Sequence, residues 1–427
     1  MKILFVNEYF YPFDIGGAEW STYWQATQMN KIDCQIFVLT PNYGTKKYET
    51  IDGIKIIRFP FIKTKKLPIK TVFLKNIVWY VWSALWIIWY SKKLKIDIIH
   101  AHNKHSVPGS IIAKYLTGLP VITSIRDYSS LCNYGFCIWK KERIHNMKEF
   151  FTQEMPFYLK NYTDKKTLLI RILHTISAIV SLWQNHWLRF FIKRSDCLVY
   201  VSNYVMKIYR LNGFSNIQDE VVYNLPPNKV DQDSNTIKQI LDLKKGGLDK
   251  IIIFVGKVSI GKGAISFIKT ANVVLSKIPN AVYVFIGQNN INPKEIECFV
   301  ENKIMKRLMF LGKINQQQLS AWYNESDLVV IPSIWPEPFG RIAIETIQFG
   351  KSIIANKSGG LTEILANYQY GNLVNTEDEI IFSNTIIRVI NSKTTDHANQ
   401  NLLDEKLRSD TILIQWEKIY KKYAGKK

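Results

Sequence analysis

The stretch from Ile331 to Glu363 constrains the chain more than any other. Asp327-Leu328-Val329-Val330-Ile331 is a short apolar run, which predicts a buried strand. Pro332-Ser333 ends it, and a turn with two further prolines, Pro336 and Pro338, follows. Ile342, Ala343, Ile344, Ile347 and Phe349 then keep a helical period that Gly350 closes. Glu337 therefore sits on a loop at a strand's carboxyl end. Phe339, Gly340, Arg341 and Ile342 open the next helix, and Glu345 projects from its first turn. In an open parallel sheet, ligands bind outside the carboxyl ends of the strands. Free backbone N–H groups at the helix start favour an anion. The two carboxylates beside them would repel a phosphate but can grip hydroxyl groups. A ligand with both a diphosphate and sugar hydroxyls, a nucleotide sugar, fits that mixture.

Glu337 and Glu345 are separated by seven residues inside Pro332-Ser333-x-x-x-Pro336-Glu337-Pro338-Phe339-Gly340. This pattern resembles the Glu-x7-Glu signature of the GT4 family of retaining glycosyltransferases, which have the GT-B fold. Other blocks resemble the same family in the same order. Tyr11-Pro12-Phe13-Asp14-Ile15-Gly16-Gly17-Ala18-Glu19 resembles its first glycine loop. Gly256-Lys257-Val258-Ser259-Ile260-Gly261-Lys262-Gly263 resembles its diphosphate turn, with Lys257 where the family usually has Arg. That exchange keeps the charge and loses the bidentate fork. Phe310-Leu311-Gly312, Ser358-Gly359-Gly360-Leu361-Thr362-Glu363 and the apolar face of residues 412–423 complete the series. One departure lies at Arg126-Asp127, where the family commonly has His-Asp at the end of a strand. Arg stays protonated and is no base, but it can hold a phosphate by two parallel hydrogen bonds. His100 and His102, ending the preceding strand, are the nearest other candidates, with a structural role as the alternative.

A chain of 427 residues accommodates two domains. Met1-Lys2-Ile3-Leu4-Phe5-Val6 is too short an apolar run for a signal peptide, and five cysteines in so long a chain argue against a disulfide scaffold and for a reducing cytosol. Cys132 and Cys137 have no second pair to complete a zinc site. Net charge is +21, unevenly spread: 30 basic against 15 acidic residues in 1–225, and 26 against 20 in 226–427. Biased codon usage would raise both halves alike, so the asymmetry favours an anionic partner, a membrane surface or a nucleic acid.

Two segments of the first half suit a membrane surface. Lys63, Lys65, Lys66, Lys70 and Lys75 precede the run 77–90, in which Trp79, Trp82, Trp86 and Trp89 share one helical face. The run is too short to span a bilayer. It is either a core crossover helix or a helix lying in the interface, and the two readings can coexist. Residues 140–195 read as an insertion, basic and aromatic, with a helical apolar period from Thr167 interrupted at Arg171, His174, Gln184, Asn185 and His186.

The resemblance implies an α/β protein with the GT-B architecture, two Rossmann-like domains facing a central cleft. The acceptor-side domain covers residues 1–225 plus a crossover helix at about 410–427, and the nucleotide-sugar-binding domain covers 226–409. It implies metal-independent transfer of a sugar, with retention, from a nucleotide-diphosphate sugar to a glycan or lipid-linked saccharide. No cofactor and no nucleic-acid partner are expected. The expected site is at the cytoplasmic face of the inner membrane, in polysaccharide or lipopolysaccharide synthesis. Donor-binding residues implied are Gly16, Gly17, Lys257, Lys262, Glu337, Phe339, Gly340, Arg341, Ile342 and Glu345. Lys257 and Lys262 would neutralise the leaving diphosphate, Glu337 would hold sugar hydroxyls and Glu345 ribose hydroxyls. Glu337, Lys262, Lys257 and Arg126 form the catalytic set, and Arg126, Asp127 and His102 the acceptor side. The alternatives are a nucleotide-sugar 2-epimerase of the same fold, or a non-catalytic membrane- or nucleic-acid-binding protein.

Overall fold

The computed structural model describes residues 1–13, 17–32, 34–61, 77–132, 142–156, 159, 168–215, 217–228, 230–392 and 403–425. Gly16, Cys137 and the five lysines from Lys63 to Lys75 lie outside them. The chain divides into two units, Met1–Leu225 with Lys406–Lys427, and Pro226–Glu405.

The first unit is built on β1 (Lys2–Val6), β2 (Gln35–Asn42), β3 (Tyr48–Ile51), β4 (Ile54–Pro60), β5 (Ile98–His102), β6 (Val121–Ile125), β7 (Cys197–Tyr200) and β8 (Asp219–Val221). Their order in the sheet is β3-β4-β2-β1-β5-β6-β7-β8. β3 runs antiparallel to β4, and every other pairing is parallel. The central strands are buried end to end, which is why they read as continuous apolar runs rather than alternating ones. The second unit holds β9 (Lys250–Val255), β10 (Ala281–Ile286), β11 (Leu308–Gly312), β12 (Leu328–Ile331), β13 (Ser352–Asn356) and β14 (Gly371–Val374), all parallel, in the order β11-β10-β9-β12-β13-β14. Its core stacks Phe267 on Tyr283 at 4.1 Å and Phe285 on Phe310 at 4.5 Å.

Both sheets reverse direction beside their first strand, between β1 and β5 and between β9 and β12. Such a reversal leaves a crevice at the carboxyl ends of the two strands. The opposite ends are held by a repeated device. Asp97, just before β5, accepts from the Lys2 N–H of β1 at 2.9 Å. Asp196 accepts from Val121 N–H of β6 at 2.8 Å, and Asp327 from Ile251 N–H of β9 at 2.8 Å. In each case a carboxylate accepts from an N–H at the start of the neighbouring strand.

Two helices of the first unit depart from the usual rule of apolar inside and polar outside. Helix α1 (Ile77–Leu94) buries Trp79, Tyr80, Ser83, Ala84, Ile87 and Tyr90. The four tryptophans therefore do not act as one face. Trp79 is buried and Trp86 stacks on Phe59, whereas Trp82 and Trp89 lie half-exposed with Ile77, Val81 and Leu85. Helix α2 (Leu168–Ile192) buries Ala178, Leu188 and Ile192 but otherwise mixes the two faces. Ser181, Gln184 and Asn185 are buried, while Ile172, Ile176, Val180, Trp183, Trp187 and Phe190 are exposed. Among the described residues, no helix is long and apolar enough to cross a membrane.

Candidate active site

In the second unit, the crevice between β9 and β12 is lined by three loops that interlock through glycine. The turn after β9 carries Lys262 between Gly261 and Gly263. A Cβ on Gly263 would lie 1.7 Å from the Pro332 carbonyl oxygen, and one on Gly261 would lie 3.0 Å from the Trp335 ring. Gly263 also has φ +73°, a conformation only glycine adopts without strain. The loop after β13 closes from the other side. Gly359 and Gly360 pack on the backbone of Pro336–Phe339, and Gly360 N–H donates to the Glu337 carbonyl at 2.7 Å.

This packing places Lys262 Nζ 2.6 Å from Glu337 Oε1, and Ser333 Oγ donates to the same oxygen at 2.7 Å. Burial pushes the Glu337 carboxyl up. The Lys262 ammonium and the two hydrogen bonds outweigh that and hold it below the usual carboxylate range. The pair is thus a fixed carboxylate beside a cation that remains about two-fifths exposed. Lys257 is exposed on the neighbouring turn. With the Asn290 amide turned so that its oxygen faces the cation, Lys257 Nζ donates to it at 3.1 Å.

Gly340, at φ +102°, begins the helix Arg341–Gln348, whose first turn has no side-chain cap. Its N–H groups are those that an anion would meet. Phe339 is buried, and Ile342 abuts Gly256 of the β9 loop. Glu345 belongs to a different cluster from Glu337. Arg341 Nε donates to its Oε1 at 2.6 Å and Tyr323 OH to its Oε2 at 2.8 Å. It borders a small recess shared with Asn228, Gln316 and Gln348. Ser333 and Tyr323, which orient the two glutamates, carry no sequence signal of that role. Their partners are 4 and 22 residues away and meet them only on folding.

In the first unit, a cavity of about 340 Å³ opens at the carboxyl ends of β1, β5 and β6. Arg126 and Asp127 line it. Both arms of the Arg126 guanidinium are engaged, donating to Thr22 Oγ1 and to Gln25 Oε1 (2.9 Å), so the fork expected to grip a phosphate is turned to helix Gly17–Met29 instead. Gly17 is the first residue of that helix. His102 does not line the cavity. It is fully buried, 3.9 Å from the His100 ring and 4.5 Å from Phe5. Burial, with His100 and Arg126 nearby, holds it neutral. His100 bridges Tyr420 OH and Ser124 Oγ, each at 2.8 Å, and so ties the terminal helix Ser409–Ala424 to the sheet. The cavity also holds Glu8, Tyr9, Glu19 and Lys104. Glu8 and Lys104 follow β1 and β5 directly. The carboxyl-end rule applied to those strands would have found them.

Two mainly parallel sheets, each reversing at its first strand, give the chain the GT-B fold. The chain belongs to the group 1 glycosyl transferases: residues 235–402 match that family and residues 15–225 match glycosyltransferase family 4. Among its relatives is an uncharacterized 42.6 kDa protein in the cps region of Klebsiella pneumoniae, 24% identical over 85% of this chain and 87% of that one. Many solved structures share its fold. HepE of Anabaena, in complex with UDP and glucose, aligns over 99% of this chain and 100% of that one, with a TM-score of 0.64 at 16% identity. WaaG, a glycosyltransferase involved in lipopolysaccharide biosynthesis, aligns over 100% and 95%, with a TM-score of 0.56 at 14% identity.

Proposed function

We propose that the protein transfers a hexose, with retention and without a metal, from a nucleotide-diphosphate sugar to a cell-surface glycan or its lipid-linked precursor. The observation that carries this is the 2.6 Å contact between Lys262 and Glu337 at the β9/β12 reversal. When the bond from the anomeric carbon to the diphosphate breaks, negative charge gathers on the leaving oxygen. Lys262 and Lys257 are cations already in place to meet it, the kind of preorganised field that usually contributes most to catalysis. Glu337, held ionised by Lys262 and Ser333, accepts hydrogen bonds from sugar hydroxyls. Glu345 and the first turn of helix Arg341–Gln348 hold the ribose and phosphates, with Phe339, Gly340 and Ile342 setting the backbone. The complex of HepE with UDP and glucose supports a uridine donor, and the cps-region relative supports a surface-polysaccharide acceptor.

The acceptor is held by the first unit, in the cavity that Arg126 and Asp127 border, at the cytoplasmic face of a membrane. The exposed apolar face of α2, the outer stripe of α1 and the basic excess of residues 1–225 support this. Lys93 over Trp89 and Arg194 over Phe190 place cations at the edges of the apolar faces, where lipid phosphates would lie.

The test is donor turnover by the full chain with UDP-, GDP- and ADP-hexoses in the presence of vesicles bearing lipid-linked saccharides. Glu337→Gln and Lys262→Met should each lower turnover at least a hundredfold without changing the circular dichroism. Turnover that survives both removes this site from the reaction. Trp183→Ser combined with Trp187→Ser should weaken sedimentation with anionic vesicles about tenfold. Unchanged sedimentation refutes the membrane reading alone.

A further inference from the structure

The cavity of the first unit has a chemistry that narrows what it can bind. Two cations border it, Lys104 and Arg126, and three carboxyl groups, Glu8, Glu19 and Asp127. Arg126 is committed to Thr22 and Gln25, and Lys104 Nζ donates to the Ser129 carbonyl at 2.9 Å. An anion entering here would meet engaged cations and the carboxylates of Glu19 and Asp127, the reverse of a phosphate site.

We propose that this cavity binds a single uncharged sugar ring of the acceptor, read through its hydroxyls by Glu8, Lys104 and Asp127. The proposal rests on the glycosyltransferase reading only in naming the ligand an acceptor. The volume is at the lower end of the roughly 300–1,000 Å³ typical of ligand cavities, so one ring fits and a chain does not. Val107, Ile125 and Ile192 supply apolar wall for the ring's C–H faces. Tyr9 lines the cavity with a buried hydroxyl that has no hydrogen-bond partner among the described residues. A buried polar group in that state calls for a ligand or water to complete it.

Glu8 supplies what a hydroxyl needs. Its Oε1 accepts from the His105 N–H. Burial raises the carboxyl to about 8, against the lowering effect of that N–H and of Lys104, and with Glu19 and Asp127 adding to the rise. At neutral pH Glu8 is therefore a neutral acid, which both donates and accepts. The groups facing it are Lys104 and His105 from the turn after β5, Arg126 and Asp127 from the end of β6, Glu19 from helix Gly17–Met29, Tyr9 beside it, Tyr43 after β2 and Tyr80 of α1. With Glu8 neutral, the two cations and two remaining carboxylates cancel.

The experiment is saturation-transfer NMR on the full chain with methyl α-glucopyranoside and methyl α-galactopyranoside, against glucose 6-phosphate and methyl glucuronide. At least one neutral glycoside should bind saturably at millimolar concentration, at least tenfold tighter than either charged sugar. Glu8→Ala should weaken it tenfold or more, whereas Glu8→Gln should stay within about twofold at pH 7. Between pH 7 and 9 the wild type should lose affinity and Glu8→Gln should not. Tighter binding of the charged sugars, equal losses in Glu8→Ala and Glu8→Gln, or no binding of either glycoside up to 50 mM each overturn the proposal. The donor reading is judged separately by stabilisation of the second unit with UDP, which the Glu8 variants should leave unchanged. Sugar binding without that stabilisation would sink the transferase reading and spare this one.

Discussion

Replacing Gly263 by alanine tests whether the donor site depends on backbone contact between loops. Any residue with a side chain at φ +73° bears roughly 1–2 kcal/mol of local strain. Gly247, at φ +89° with nothing within 4 Å of its would-be Cβ, provides the control, because Gly247→Ala incurs the strain alone. In Gly263→Ala the new methyl lies 1.7 Å from the Pro332 carbonyl oxygen, so the loop after β12 must retreat by more than an ångström. That retreat breaks Ile334 N–H to Gly261 O (3.2 Å) and parts Lys262 from Glu337, for a further loss of about 2 kcal/mol at about 1 kcal/mol per hydrogen bond. For a unit of this size, the two variants should melt about 4–8 °C apart. An ångström of misplacement also costs on the order of a hundredfold in rate. Scanning calorimetry and donor turnover, measured on both variants, read the two effects. If Gly263→Ala and Gly247→Ala melt together and turn over donor alike, the loops do not depend on that contact and the reasoning fails.

Asp327→Ala should destabilise the second unit by about 1–3 kcal/mol, because Ile251 N–H is left without its acceptor; a urea midpoint equal to wild type would contradict this. Burial raises the Glu154 carboxyl to about 9, with Cys132 beside it adding to the rise, so the folded state keeps a proton that the unfolded chain releases above about 4.5. Its contribution is full below that value and disappears as pH rises through 9, at up to about 1.4 kcal/mol per pH unit; Glu154→Gln should flatten this slope, and melting curves of the two proteins that stay parallel from pH 6 to 9 would refute it. Glu337 has the opposite sign. Its carboxyl is lowered, so its stabilisation is present above about 4.5 and lost as pH falls through the folded value. Lys262→Met should therefore begin acid unfolding at higher pH than wild type, and an unchanged acid midpoint would show the pair to be energetically silent.

The central strands were legible because burial on both faces turns them into uninterrupted β-branched runs, as at Ile251-Ile252-Ile253. Two edge strands were not. β3 alternates exposed and half-buried residues, and β14 is half-buried throughout, so neither leaves an apolar run. β3 still had a readable signal. Asp52-Gly53, at φ +47° and +78°, is the two-residue turn that joins it to β4. Lys262 and Glu337 stood out because each lies in a glycine- or proline-rich loop following a strand. The engagement of Arg126 and the separate pairing of Glu345 were out of reach. Each depends on partners brought in from other elements, such as Thr22 and Gln25 about a hundred residues before Arg126. Periodicity also located the apolar residues of α1 and α2 but not the side that faces inward. Ser181, Gln184 and Asn185 turn inward, with Gln184 beside Tyr80 of α1, a neighbour that periodicity does not show.

The three loops of the second unit meet at glycines, against main-chain atoms at Gly263, Gly359 and Gly360 and against the Trp335 ring at Gly261. On the proposed function, a nucleotide arriving at β9 and β12 would meet a surface already in its working shape, and its capture should order little additional chain. Calorimetry of UDP binding to this protein should accordingly show a small entropic penalty, as expected of a rigid seat rather than a folding lid.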